Sequence, residues 1–324
     1  MIGLESSIEA LLRERTMKRV LFVRTFVRPT GGNVTVRDFF GHALAYPRFD
    51  TRIWFAPGSQ HAESDLWSDL SPQVVEADPR WDDYDLVVVN GKDWRLLPRS
   101  GGRFRVVHVV QHLGYAADEE LRGYLARPAV RICISPAVEE SIRPYAVGPI
   151  VLIPNGVDTK LFHDDTTLRA GSVLIWAGKA PALGTAIARR LARGGVDSDV
   201  IVDWLPRTQF AARLRAADVF VALPLAAEGF YRPALEAMAC GCAVVCSDAL
   251  GNRGHCVPGE TCVQPPYADA EAHAQAVLQL LADAGLRERI RTGGRAVAER
   301  FNLASEREQL HAVFDRLIDD PLFR

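Results

Sequence analysis

The stretch AADVFVALPLAAEGFYRPALEAMACGCAVVCSD, residues 216–248, decides the fold. DVFVAL (218–223) and CAVVCS (242–247) are short, unbroken apolar runs, the pattern of strands buried on both faces of a parallel sheet. Between them lie a loop and a helix-length segment opened by Pro233, which suits the first turn of a helix because its missing N–H has no partner there anyway. Strand, crossover helix and strand make a βαβ unit. The helix start presents free backbone N–H groups and the positive end of a dipole, a ready place for a phosphate. Glu228 and Glu236 stand there with seven residues between them. Glu236, one turn in, comes within reach of groups beside a phosphate, such as ribose hydroxyls. On spacing alone, an ordinary turn with two solvent-facing glutamates fits equally well.

The same alternation runs outward in both directions. Toward the N-terminus the apolar runs are RVLFVR (19–24), TRIWFA (51–56), DLVVV (85–89), FRVVHVV (104–110), VRICIS (130–135) and IVLIP (150–154). Ahead of the opening stretch stand SVLIWAG (172–178) and DVIVDW (199–204). Two parallel α/β sheets in one chain imply a cleft. PNGVD (154–158) is turn chemistry, because Asn and Gly accept positive φ and Pro interrupts a strand. A linker is placed at about 156–170. The division expected is one Rossmann-like domain at 1–160 and a second at 161–304. SEREQLHAVFDRLIDD (305–320) carries a single apolar stripe, and the segment 305–324 is expected to cross back onto the first domain. Met1–Lys18, with Glu5, Glu9 and Glu14 in it, is unlike a secretory signal and reads either as a short leading helix or as an upstream start before an opening at Met17.

Composition narrows the function. With 324 residues, 48% hydrophobic and 24% charged, the chain can build two ordinary domains. A formal net charge of −2 gives no bulk attraction to nucleic acid. No run approaches the ~20 apolar residues that span a bilayer, and no helix pairs an apolar face with a dense basic one. A cytoplasmic location follows as the expectation, with peripheral membrane contact left open. The six cysteines, including those of CGCAVVC (240–246), read as small buried thiols rather than metal ligands. Asp83/Asp85 and Asp197/Asp199 have D-x-D spacing, but each pair precedes a strand, where turn aspartates are common. No G-x-G-x-x-G follows the first strand and no G-x-S-x-G occurs, which argues against a dinucleotide oxidoreductase and a serine hydrolase.

The 228–236 stretch resembles the E-x7-E signature of retaining GT-B glycosyltransferases, glycosyltransferase family 4 (group 1) above all. ICISPAVEESI (132–142), IPNGVD (153–158) and AADVFVALPLAAEGF (216–230) agree in order, so the resemblance covers roughly residues 104–318. It implies the GT-B fold, two Rossmann-like domains facing across a cleft. It also implies transfer of a sugar from a nucleoside diphosphate sugar to a glycan or lipid-linked acceptor, with no metal and no bound cofactor. By that resemblance Glu228 lies by the donor sugar, Glu236 holds the ribose, and Gly229 and Phe230 offer backbone amides. Gly31 and Gly32, in FVRPTGGN after the first strand, let backbone approach a ligand. His112 stands where relatives carry a histidine near the sugar, and Lys179 where they carry a phosphate-binding cation. Relatives add a Lys-Gly pair where this chain has Leu183-Gly184; Arg232 is a substitute cation, and Leu205 and Pro206 border the base. The rival readings are a GT-B-like epimerase or phosphorylase and a nucleotide-sugar-binding protein without turnover.

Overall fold

The computed structural model describes residues 17–324 apart from 63, 100, 101, 170, 321, 322 and 324. The leading helix expected over Met1–Lys18 falls on residues 1–16, outside those described. Each of the ten apolar runs becomes a strand: β1 (Lys18–Arg24), β2 (Phe49–Phe55), β3 (Leu86–Asn90), β4 (Arg105–Val110), β5 (Val130–Cys133), β6 (Ile150–Leu152), β7 (Ser172–Trp176), β8 (Ser198–Ile201), β9 (Ala217–Ala222) and β10 (Ala243–Cys246). They form two sheets, ordered β2-β1-β3-β4-β5-β6 and β10-β9-β7-β8. Every pairing is parallel. Helices cover both faces, so strand residues such as Leu21, Val87, Phe220 and Val245 are wholly buried. This is the GT-B architecture.

Strand order reverses between β1 and β3 in the first sheet and between β7 and β9 in the second. Helices leave opposite faces of the sheet at such a point, which opens a crevice beyond the C-terminal strand ends where ligands bind. Helix α1 (Gly31–Leu44) follows β1, with Thr30 as its N-cap accepting from the Asn33 N–H. In the first domain α2 (Glu119–Leu125) and α3 (Pro136–Ile142) follow β4 and β5. In the second, α4 (Pro181–Arg193) follows β7, α5 (Arg207–Ala216) precedes β9, and α6 (Arg232–Ala239) joins β9 to β10. Helices α7 (Ala270–Ala282) and α8 (Ala284–Arg300) complete that domain.

The last helix, α9 (Leu303–Asp319), packs on the first domain rather than the second. Its apolar stripe, Leu310, Val313, Phe314 and Leu317, enters the core that holds Phe39, Phe40 and Phe49. Polar contacts reinforce it: His42 Nε2 lies 2.9 Å from Glu306 Oε2, and Arg48 makes paired 2.8 Å bonds to Asp319. The segment read as a linker is held in place. Val157 N–H donates to the Phe301 carbonyl, and Leu303 N–H to the Val157 carbonyl, at 2.8 and 3.0 Å. A β-carbon on Gly156 would stand 2.6 Å from the Asn302 carbonyl, so the chain can cross there only as glycine. One apolar cluster also runs without a break from Val110, Tyr115 and Val138 of the first domain to Phe230, Tyr231 and Cys246 of the second.

Burial holds four histidines, His108, His112, His255 and His273, below their ordinary pKa. Burial lowers His255 from 6.5 to about 4, with a contact from the Tyr231 backbone offsetting only part of that. It also lowers His108 well below 6.5, and His112 to a lesser degree. Because the unfolded chain takes up these protons first, stability rises with pH up to about 6.5 and loses this dependence above it. His255 alone is worth about 3 kcal/mol across the window from 6.5 down to 4. Denaturant titrations at pH 7 and pH 5 should show about 2 kcal/mol of that loss, and His255→Gln should remove this part of the slope.

Candidate active site between the two sheets

The second sheet's switch point brings together two of the residues singled out in the sequence. Lys179 follows β7 and Glu228 lies in the loop after β9. Lys179 Nζ sits 2.5 Å from Glu228 Oε2, with the lysine 42% and the glutamate 15% exposed. The lysine also stands over the Tyr231 ring, 5.7 Å from its centre. Helices α4 and α6 start immediately after these residues. Their N-caps, Ala180 and Tyr231, supply no side-chain hydrogen bond to the first turn. Two helix starts and one exposed ammonium group therefore gather at one spot, an environment that favours a diphosphate.

The loop between Leu223 and Arg232 is shaped by its neighbours. Glu228 N–H donates to the Leu225 carbonyl, Gly251 N–H donates to the Glu228 carbonyl, and the buried Asn252 side chain accepts from Tyr231 N–H at 2.9 Å. Gly251 is required there, since a β-carbon would lie 1.9 Å from the Gly229 carbonyl oxygen. Phe230 turns its ring inward against His255, at 4.5 Å between centres, leaving only backbone available to a ligand.

Across the junction stands the end of β4. A β-carbon on Gly229 would lie 2.2 Å from the Gln111 carbonyl oxygen and 3.0 Å from His112 Cα. Gln111 in turn reaches the glycine pair, donating from Nε2 to the Gly32 carbonyl at 3.1 Å. A β-carbon on Gly32 would meet the Gln111 amide oxygen at 2.5 Å, whereas Gly31 opens onto free space. The structure thus gathers Gly32, Gln111, His112, Glu228, Gly229 and Lys179 into one constellation. His112 Nδ1 accepts the Gly114 N–H at 3.1 Å, so the ring proton resides on Nε2 and makes that atom a donor. Although His112 touches water, withdrawal from bulk solvent lowers its pKa below 6.5, against the opposing pull of Asp118 and Glu228. It is neutral at physiological pH.

Two residues are placed differently from the sequence expectation. Arg232 is not an open cation for phosphate. It is 4% exposed and lies 2.7 Å from Asp38 on α1, with Glu236 Oε1 3.7 Å from its Nε. Glu236 is 3% exposed and pairs with Arg207 at 2.9 Å, so a ribose must share or displace that guanidinium to reach it. The physical reason is common to both: α6 faces α1 across the junction, and a buried charge is tolerated only beside its opposite. Leu205 is half-buried against the central cluster and Pro206 is exposed, while Trp204 packs on the first-domain core. Three of the four aspartates with D-x-D spacing are in surface ion pairs, Asp85 with Lys18, Asp83 with Arg19 and Asp199 with Arg213, and Asp197 is exposed. Sequence reasoning missed Gln111, Asn252, Asp38 and the Arg207 side chain. A charged residue within the apolar run of α1, opposite the unusual Arg232, was the available signal for Asp38.

Residues 162–283 match the family of group 1 glycosyl transferases. The D-inositol 3-phosphate glycosyltransferase of Jonesia denitrificans is 31% identical over 140 residues, 43% of this chain and 33% of that protein. The phosphatidyl-myo-inositol mannosyltransferase of Mycobacterium tuberculosis is 34% identical over 113 residues, 32% of this chain and 29% of that protein. The chain thus matches about a third of the length of these relatives. Among solved structures, Anabaena HepE in complex with UDP-glucose superimposes with a TM-score of 0.72 at 15% identity, covering 92% of this chain and 99% of that one. Among the described residues no helix is long and apolar enough to cross a membrane. Fold and match together make this a chain of GT-B fold whose residues 162–283 are similar to the group 1 glycosyl transferases.

Proposed function

We propose that the chain transfers a sugar from a nucleoside diphosphate sugar to a glycan or lipid-linked acceptor, with retention of configuration and without a metal ion. The observation that carries this reading is the Lys179–Glu228 pair, set at the switch point and facing His112 and the Gln111–Gly32 contact. The diphosphate would lie at the starts of α4 and α6 and draw Lys179 to itself. That releases Glu228 to hydrogen-bond the donor sugar. Electrostatic support of this kind acts on the charge that develops as the bond from C1 to the phosphate oxygen breaks. The acceptor hydroxyl oxygen forms the new bond to C1 on the same face, the departing diphosphate keeps the electron pair, and one of its oxygens takes the hydroxyl proton. His112 Nε2–H would serve there as a neutral donor to the sugar. The UDP-glucose bound by Anabaena HepE, and the inositol-containing acceptors named for the two relatives, support a nucleotide-sugar donor and a polyol or lipid-linked acceptor.

A second reading, nucleotide-sugar binding without turnover, is favoured by one observation: Arg207 already occupies the carboxylate expected to hold the ribose. A thermal-shift screen with UDP-, GDP-, dTDP- and ADP-sugars, followed by assay of transfer to glycan and inositol acceptors, separates the two. Ligand at ~100 times its dissociation constant adds about 2.7 kcal/mol of stability. Binding with no transfer to any acceptor supports the second reading, and no shift with any of the four denies both.

For an active enzyme, Lys179→Ala and Glu228→Gln should each lower kcat on the order of 100-fold while the fold survives. Gly229→Ala should do comparable damage from a different cause. Its methyl group forces the Gln111 backbone away, and a misplacement of about 1 Å costs on the order of 100-fold. Unchanged circular dichroism with lost turnover is the expected result; full activity in Gly229→Ala would show that the two backbones need not meet during catalysis.

A further inference from the structure

Helix α1, which opens with the glycine pair, and helix α6, which carries Glu236, are joined by one buried cation. Arg232 Nη2 donates to Asp38 Oδ2 at 2.7 Å, and Nη1 lies 3.5 Å from Thr35 Oγ1. Asp38 and Thr35 are three residues apart on one face of α1. Thr35 continues the connection, lying 3.3 Å from the Gly31 carbonyl and 3.2 Å from the buried Asn155 side chain. On its own domain Arg232 reaches Glu236 Oε1, the same oxygen that Arg207 holds. Burial works against the charge on Arg232; Asp38 first, then Glu236 and Glu306, more than restore it. Glu236 is thus one anion with two cations at hand, and Asp38, from the opposite domain, is what draws one of them away.

We infer that Arg232 is a positioning residue that couples donor binding to closure of the two domains, by being shared between Asp38 across the junction and Glu236 beside the donor ribose. With the domains closed, Asp38 takes Arg232 and leaves Glu236 more of its accepting capacity for ribose hydroxyls. With them apart, Asp38 is out of reach and Arg232 falls back on Glu236, in competition with the ribose. Donor affinity and closure then favour each other to the same degree, as linkage requires. The inference rests on the reading of Glu236 as the ribose contact, but the latch itself does not.

The test is a double-mutant cycle on the full chain with Asp38→Asn and Arg232→Met, read in two ways. Without nucleotide, small-angle scattering should show a larger radius of gyration for each single variant than for the wild type. The double variant should return toward the wild type, because a lone buried charge is penalised and a missing pair is not. Titration with UDP, GDP, dTDP and ADP reads the second effect. Asp38→Asn should weaken the best binder about tenfold although Asp38 lies in the opposite domain, and should change affinity little when Arg232 is already Met. Equal losses in both backgrounds would make Asp38 a merely structural group and overturn the coupling. Wild-type dimensions in all variants would overturn the latch. If none of the four nucleotides binds the wild type while the scattering pattern holds, the latch stands and the reading of Glu236 falls.

Discussion

The carbonyl oxygen of Gln111 sits where a β-carbon of residue 229 would have to be. That close approach of two backbones, one from each sheet, sets the spacing of the whole junction. Gly251 repeats the constraint one layer deeper, because its lack of a side chain lets the 250–252 turn press the loop forward from behind. Once those backbones meet, the side chains on either side have little choice. Glu228 and Lys179 must lie on one side of the contact and the glycine pair with Gln111 on the other. The chemistry at the junction thus follows from where bulk is absent as much as from which groups are present.

The charges deeper in the junction obey the same geometry. Helices α1, α6 and α9 converge there, and they bring Arg232, Glu236, His42 and Glu306 out of water together, with Asp38 partly buried beside them. Burial opposes ionisation of Glu306, with His42 and Arg232 pulling the other way. Such a cluster is weak as a source of stability and strong as a constraint on arrangement, because each charge is tolerated only where its partner stands. It lies between the linker, whose Gly156 N–H donates to Glu306, and the donor helix.

Much of this was legible in the sequence. Unbroken valine-rich runs announced all ten strands, since a strand covered on both faces has no polar alternation to hide it. The loop after β9 was legible because Pro233 and the paired glutamates have a physical reason to stand beside a helix start. The partners of those residues were not legible. Nothing local to Glu236 announces Arg207, 29 positions away, and nothing near Arg232 announces Asp38, 194 positions away. Arg232 is expected as a substitute phosphate cation because the Lys-Gly pair of relatives is replaced here by Leu183-Gly184. The fold instead buried it, since α6 faces another helix and not solvent. Gln111 was overlooked for a similar reason: a polar residue at a strand end carries no signal until the opposite backbone is known to touch it.

The central claim is that a donor binds where the two sheets meet, touching both at once. Hydrogen exchange with UDP-, GDP-, dTDP- and ADP-sugars at saturation tests it most directly, since protection reports where amides lose their access to water. With the sugar nucleotide that binds, exchange should slow together at 229–236, at 178–183 and, across the junction, at 31–33 and 111–114. Protection confined to one domain, or centred away from these segments, would contradict the account.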